Sequence, residues 1–470
     1  MTTSSSSWGR RWVPYGVEGA IYDLREVDLL AARPVADVAW TDPDAEVIRG
    51  LARDAIVYGL PAALQYANLY RNVLRPGAPR RFNEWHHDRR LATPDYADFR
   101  TPNVDTLYST AWLDLSRGPV ELEVPAMNDR YYTVNLLDVH SNAVNLSTRT
   151  LGPRGGRVWL VAPGWTGAVP TGVQRLRVAS EHLWALMRIF VRSAGDVADV
   201  CSLQDRVVLR PERAGACDPQ AAGADTHWPA VPPDDDGFDA AGILCALDAV
   251  LRHNGHPVQE EALLARFRAL GIGAREPLDP EKWSTSVNEA VALGHADARR
   301  LIAAAVTARG APAGNSGWRT LSSGAYGYNY LHRAATNYVG LGGTTREESG
   351  PYTALVDGQG EPLDGNAGPY RLRFTPPPVD AFWSVTAYDR ESRGLVANPI
   401  ERYAVNTLTE GVRPTPDGSL TLHLGQAPGP EGSVWLPVPE APFYLVLRAY
   451  LGHQQVVDGT WVPSPVERAS

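Results

Sequence analysis

The spacing of apolar side chains divides the chain into stretches of different character. Between residues 44 and 73, Val47, Leu51, Ala55, Leu60, Leu64 and Leu69 recur at the three- to four-residue interval of one helix face. Asp42 and Asp44 stand where a helix start needs a capping side chain, and Pro61 predicts a kink or a break. From about 100 to 192 the pattern becomes short apolar runs cut by turns: LYSTAWLDL, VELEV, YYTVNLLDV, VWLVAP and LWALMRIFV. Such runs predict the strands of a sandwich or barrel. Residues 193–318 turn Ala- and Leu-rich, with helices predicted over Asp239–His253, Glu260–Leu270 and Ser284–Arg309 and an acidic, Pro-rich connection, VPPDDDGFD. Strand signals return from about 350 to 451 in YRLRF, FWSVTAYD, SLTLHL, VWLPVP and FYLVLRAYL. The first 43 residues show no period, only the apolar anchors Trp12, Tyr15 and Tyr22.

The two strand-rich stretches resemble each other. DRYYTVNLLD (Asp129–Asp138) and DAFWSVTAYD (Asp380–Asp389) align without gaps. LWALMRIFV (Leu183–Val191) aligns with FYLVLRAYL (Phe443–Leu451), which sets Arg188 opposite Arg448. LYSTAWLD matches PYTALVD loosely, and VWLVAP matches VWLPVP. Four matches in one order indicate a duplication whose copies share a strand topology. The expected fold is therefore mainly β with helical insertions: two related antiparallel β-sandwich (jelly-roll-like) domains in tandem, a helical N-terminal segment and a helical linker region. The corresponding boundaries are an arm at 1–43, a helix and first sandwich at 44–192, a helical insertion at 193–318 and a second sandwich at 319–470.

Composition narrows the function classes. A formal net charge of -9 argues against a nucleic-acid partner, which needs a basic face. No run approaches the roughly 18 apolar residues of a membrane span, and Met1 to Arg11 hold no apolar stretch of signal-peptide length. Cys201, Cys217 and Cys245 are few, odd in number and widely spaced, as in a reducing, cytoplasmic compartment. Lys282 is the sole lysine and lies in PLDPEKWS, a poor setting for a buried Schiff-base nucleophile. Nucleotide loops, a GxSxG elbow, HExxH and CxxC are absent from the sequence.

PNVDTLYS (Pro102–Ser109) followed by RYYTVNLLD resembles the bacterial domain-of-unknown-function family 1254. YGYNYLHRAATNYVGLGG (Tyr326–Gly343), with DAFWSVTAYD, NPIERY, DGSL and VWLPVP, resembles its usual partner, family 1214. The resemblance spans roughly residues 45–452. It implies two β-sandwich domains with helical decoration and homo-oligomers, and no defined reaction.

Candidate chemistry follows from the repeat. Polar residues present in both copies (Asp129/Asp380, Asp138/Asp389, Arg188/Arg448) read as structural, and those in one copy only as functional. In PNVDTLYS, Asn103 and Asp105 are two apart, as are Thr106 and Tyr108, so each pair shares a strand face. A carboxylate near a phenol suits acid–base work, while Asn and Asp after Pro also suit a plain turn. Tyr326, Tyr328 and Tyr330 with Arg333 form either an alternating aromatic wall or, if helical, a Tyr326–Tyr330–Arg333 face. Asn398 and Arg402 of NPIERY lie one loop after FWSVTAYD, and Arg402 is expected either to pair with Asp389 or to bind ligand. His140, two residues after Asp138, is a candidate base whose counterpart is Glu391; His86 and His87 are adjacent and diverge.

The expectation is a cofactor-independent acid–base enzyme: a lyase, cyclase, isomerase or hydrolase. Asp105, Tyr108, His140 and Arg333 would be catalytic, and Asn103, Thr106, Tyr326, Tyr328, Tyr330, Asn398 and Arg402 would bind a small, partly apolar substrate. No resident metal is expected. The alternatives are a metal-dependent hydrolase built on His and Asp, and a non-enzymatic small-molecule-binding or assembly protein.

Overall fold

A computed structural model of the chain describes residues 45–96, 101–212, 228–231, 238–308, 311–312, 315–320 and 323–469. The N-terminal arm with Trp12, Tyr15 and Tyr22, the capping positions Asp42 and Asp44, Cys217 and most of VPPDDDGFD lie outside the described residues.

Helix α1 (Ala45–Leu69) opens the fold. Strands β1 (His86–His87), β2 (Thr106–Asp114), β3 (Val120–Val124), β4 (Tyr132–Leu137), β5 (Ala143–Ser147), β6 (Gly156–Val161), β7 (Gln174–Arg177) and β8 (His182–Phe190) follow. Next come α2 (Val197–Gln204), β9 (Val208–Pro211), α3 (Ala240–Asn254), α4 (Glu261–Phe267) and α5 (Thr285–Ala308). After β10 (Ala311–Pro312), β11 (Trp318–Thr320) and α6 (Tyr330–Val339), the second strand set comprises β12 (Ser349–Ala354), β13 (Tyr370–Phe374), β14 (Val379–Asp389), β15 (Ala404–Asn406), β16 (Leu420–Gly425), β17 (Val434–Pro437), β18 (Phe443–Gly452) and β19 (Val466–Arg468).

Four sheets form two sandwiches. The first pairs β1-β2-β8-β4-β5 with β7-β6-β3-β9, and the second pairs β10-β11-β12-β18-β14-β15 with β17-β16-β13-β19. Strand for strand the orders coincide, apart from the added β10. Register coincides as well: Thr133 faces Arg188 across β4–β8, and Ser384 faces Arg448 across β14–β18. Each smaller sheet also carries one parallel pair, β6–β7 or β16–β17, so these sheets are mixed rather than wholly antiparallel.

One of the four sequence matches is not a topological one. VWLV lies in β6, whose counterpart is β16 (LTLHLG), whereas VWLP forms β17, the counterpart of β7. Both segments alternate apolar residues toward a core, which is enough to make unrelated strands look alike. Because β9 pairs with β3, the first sandwich extends to Pro211.

The helices form one layer. Helix α1 is its centre, with α3, α4, α5 and α6 contributing to the same apolar cluster. It runs on through the buried Pro61, so of the kink or break expected there the break does not occur. Packing on several sides holds it together against the lost backbone bond. Gly294 of α5 lies so close to α1 that a Cβ there would stand 2.5 Å from the Arg49 carbonyl oxygen. Asp239 caps α3 by accepting from the Gly242 amide at 2.7 Å.

Candidate functional site

Every residue of β2 is buried, so its sheet is covered on both faces. Leu107, Ala111 and Leu113, with Ala185, Met187 and Ile189, point into the sandwich core. The alternate face carries Tyr108, Trp112, Trp184 and Leu186, which pack with Leu69 and Val73 from the helical layer. At the other end of that face Phe190 and Tyr131 meet Phe382, Tyr450 and Leu451 of the second sandwich.

This contact is quasi-two-fold. The repeat makes Phe190 equivalent to Tyr450, and Tyr131 equivalent to Phe382. Phe190 stacks on Phe382 with ring centroids 4.0 Å apart, and the mirror pair, Tyr131 and Tyr450, meets at 5.2 Å. Contact of i with j' and of j with i' is the signature of a self-complementary interface.

Beside these rings lies a polar cluster. Arg188 and Arg448, equivalent residues of the two central strands, are each half-buried among fully buried neighbours. The Arg188 guanidinium sits 5.5 Å over the Tyr108 ring and donates from Nη2 to the Gly342 carbonyl at 3.0 Å; its Nη1 has no partner. Arg448 donates to the Tyr388 phenol at 2.9 Å and to the Thr101 carbonyl at 3.1 Å. Neither has a carboxylate within 4.0 Å among the described residues. Asp105, 3% exposed, accepts from the Asn406 amide at 2.8 Å through Oδ1, while Oδ2 has no partner. Burial pushes its carboxyl up, and the opposing pulls of Asn406, Ser384 and Arg448 are weaker. The hydroxyls of Thr106 and Thr386 are also buried without partners, and the Ser384 hydroxyl, which makes no other hydrogen bond, lies near enough to Asp105 to pull its carboxyl down.

Asn103 serves both readings of its motif. Its Oδ1 accepts from the Asp105 amide, the turn geometry, while its Nδ2 donates to the Tyr450 phenol across the interface. The Tyr108 hydroxyl accepts from the Asn103 backbone at 2.9 Å, and no hydrogen bond between Asp105 and Tyr108 is present among those described.

His140 and Arg333 come together elsewhere. Asp105 precedes β2 at the Phe190 end of β8, and His140 follows β4 at the Trp184 end. At about 3.3 Å per residue these ends are roughly 20 Å apart. The sequence expectation of one four-residue catalytic group thus resolves into two sites. In the second, the His140 ring lies 5.3 Å from Tyr58 of α1, and Arg333 of α6 sits 5.0 Å over Tyr58 and 5.1 Å over Tyr330. Tyr58 donates to Glu260 at 2.6 Å. Burial, then the Glu260 carboxylate, pushes the Tyr330 phenol up to about 12.

Of the other expected residues, Tyr326 is buried before α6 and Tyr328 is exposed. The alternating wall is therefore not formed: the segment turns helical at Tyr330, with Asn329 as its cap. Asn398 closes its own loop through the Arg402 backbone, and Arg402 donates to the Trp435 carbonyl at 2.9 Å, not to Asp389. Asp138 and Asp389 each accept backbone N–H groups of the turn that follows them. His87 contacts the Ser109 hydroxyl at 2.7 Å. The sequence reading missed Arg188, Arg448, Tyr388 and Tyr450 at the interface, and Tyr58 and Glu260 beside His140. Its available signal was an arginine in the middle of two otherwise apolar strands.

Two quasi-equivalent sandwiches meeting at a buried polar cluster, with a helical layer beside the first, define a tandem double-sandwich protein. Residues 82–211 match the family described as Protein of unknown function (DUF1254), residues 348–454 match Protein of unknown function (DUF1214), and the chain belongs to this tandem family. A crystal structure of the VPA0106 protein from Vibrio parahaemolyticus is similar over 90% of this chain and 100% of that one, with a TM-score of 0.69 and 22% identity, a likeness of fold. An uncharacterised protein from Burkholderia cenocepacia aligns over 92% of this chain and 91% of its own at a TM-score of 0.42 and 14% identity. No curated protein matches the chain.

Proposed function

We propose that the chain is a cofactor-independent acid–base enzyme acting on a small organic anion with an apolar body, at the contact between the sandwiches. The observation that carries this reading is the Asp105 carboxyl, buried and accepting from the Asn406 amide through Oδ1 only, in a cluster with two guanidiniums that have no carboxylate within 4.0 Å among the described residues. Arg188 and Arg448 would hold the substrate's anionic oxygens and the negative charge that develops on them. Asp105, held toward its protonated form, would give or take the proton at carbon or oxygen. Phe190, Phe382 and Tyr450 offer the apolar body a stacked aromatic surface. Elimination and isomerisation next to a carbonyl are the reactions this set suits best.

The metal-hydrolase alternative would need His and Asp ligands and would lose activity with chelators; among the described residues no three His, Cys, Asp or Glu side chains converge as a ligand group. No helix among the described residues is long and apolar enough to cross a membrane. A cytoplasmic setting fits the few cysteines, of which Cys201 and Cys245 are free; the expectation of homo-oligomers rests on the family resemblance.

Proton exchange tests the reading. The full chain is incubated in D2O with pyruvate, 2-oxobutyrate, phenylpyruvate and levulinate, and proton NMR follows exchange at the carbon next to the carbonyl. Wild type should exchange at least one of them, and Asp105→Asn should slow it by about 100-fold or more. Saturable binding without exchange would make the chain a binding protein. Exchange that Asp105→Asn leaves unchanged would remove Asp105 from the chemistry.

A further inference from the structure

The seam between the helical layer and the first sandwich holds polar groups that its fold does not use. Arg333 is 1% exposed, yet its Nε has no partner and the acceptor its guanidinium has among the described residues is the Tyr58 carbonyl at 3.5 Å. No carboxylate lies within 4.0 Å of it among the described residues. His140 is 4% exposed, and neither ring nitrogen has a partner. Gln65 of α1 donates to the Ser141 hydroxyl at 2.8 Å, and its Oε1 has no partner. Thr336, one turn after Arg333, has an unpartnered hydroxyl. Ser141, at φ +67, holds His140 in a turn of unfavourable backbone geometry.

A buried guanidinium with no carboxylate in ion-pair contact, beside an imidazole without a hydrogen bond, is costly for a fold to retain. We propose that this seam is a second ligand site, separate from the one between the sandwiches, for a small hydroxycarboxylate of single negative charge. The inventory of donors and acceptors selects that class. Arg333, one imidazole N–H and the Thr336 hydroxyl offer donors to a carboxylate. Gln65 Oε1 and the second imidazole nitrogen need a donor, which an adjacent hydroxyl supplies. One guanidinium matches one charge; Asp138 and Glu260, which interact with the same arginine or its tyrosines, disfavour a dianion.

Thermal unfolding of the full chain with l-lactate, glycolate or inorganic phosphate tests the site. Wild type should rise saturably by about 2–3 °C with either hydroxycarboxylate and not with phosphate. Arg333→Met should abolish that rise while melting at or above the wild-type temperature without ligand, because it removes an unpaired buried charge. His140→Phe, a second route should Arg333→Met fail to fold, should abolish it too, and Asp105→Asn should retain it. The proposal is overturned if no probe shifts wild type, or if phosphate shifts it as much as lactate. It is also overturned if the shift survives Arg333→Met and His140→Phe but is lost in Asp105→Asn, which would place the ligand between the sandwiches.

Discussion

Replacing Asp105 by Asn isolates one ionisation from the stability of the whole chain. Burial raises the Asp105 carboxyl in the folded state, whereas in the unfolded chain it titrates near about 3.9. Between those two values the native state binds more protons than the unfolded one. Stability contributed by this group is therefore fully present below the unfolded value, falls as pH rises, and levels off above the folded value. The limiting slope is about 1.4 kcal/mol per pH unit. A chain of 470 residues unfolds with an entropy of roughly 1 kcal/mol per kelvin, so the melting temperature should drop by about 1.4 °C per pH unit. Asn keeps the shape and cannot ionise. Scanning calorimetry of both proteins from pH 4 to 8 should give a difference curve of that slope, in which the shared titrations, His140 among them, cancel. At pH 7 the variant should be at least as stable as wild type. Parallel curves would mean that Asp105 ionises as readily folded as unfolded, and a variant several degrees less stable would mean that the fold needs a carboxylate there.

Two further substitutions probe the frame of the same site. Gly342 has φ +81, and a Cβ there would stand 2.9 Å from the Leu186 side chain. Gly342→Ala should therefore cost about 1–3 kcal/mol in denaturant unfolding, and it should weaken anion binding by moving the carbonyl that Arg188 holds. Tyr131 donates to the fully buried Glu348 at 3.0 Å across the sandwiches, so Tyr131→Phe should cost about 1–2 kcal/mol by the same measurement; no loss would mean that Ser147 and Arg149 satisfy that carboxyl without it.

Strands and helices were legible because their apolar spacing is local. The DRYYTVNLLD and LWALMRIFV alignments carried the duplication to the right register, since they cover the central strands whose faces are most constrained. The site was less legible for two reasons. Treating shared polar residues as structural set aside Arg188 and Arg448, yet at a quasi-two-fold contact equivalent residues are the ones brought face to face. The pairing of His140 with Arg333 joins positions 193 residues apart in sequence, through a helix whose own tyrosine stands between them, and no local pattern reports such a contact. Pro61 does not break its helix for a related reason, because tertiary packing outweighs a single missing backbone bond.

The quasi-two-fold contact has a consequence for the polar cluster beside it. When two separate copies create a site on their shared axis, both sides must be identical and the site is lost on dilution. Here one chain supplies both sides, so the contact forms at any protein concentration and its halves are free to differ. Asp105 takes up that freedom: the first sandwich brings an acid, the second answers with the Asn406 amide, and a surface symmetric in its arginines becomes one with a direction, along which the substrate of the proposed enzyme would have a head and a tail.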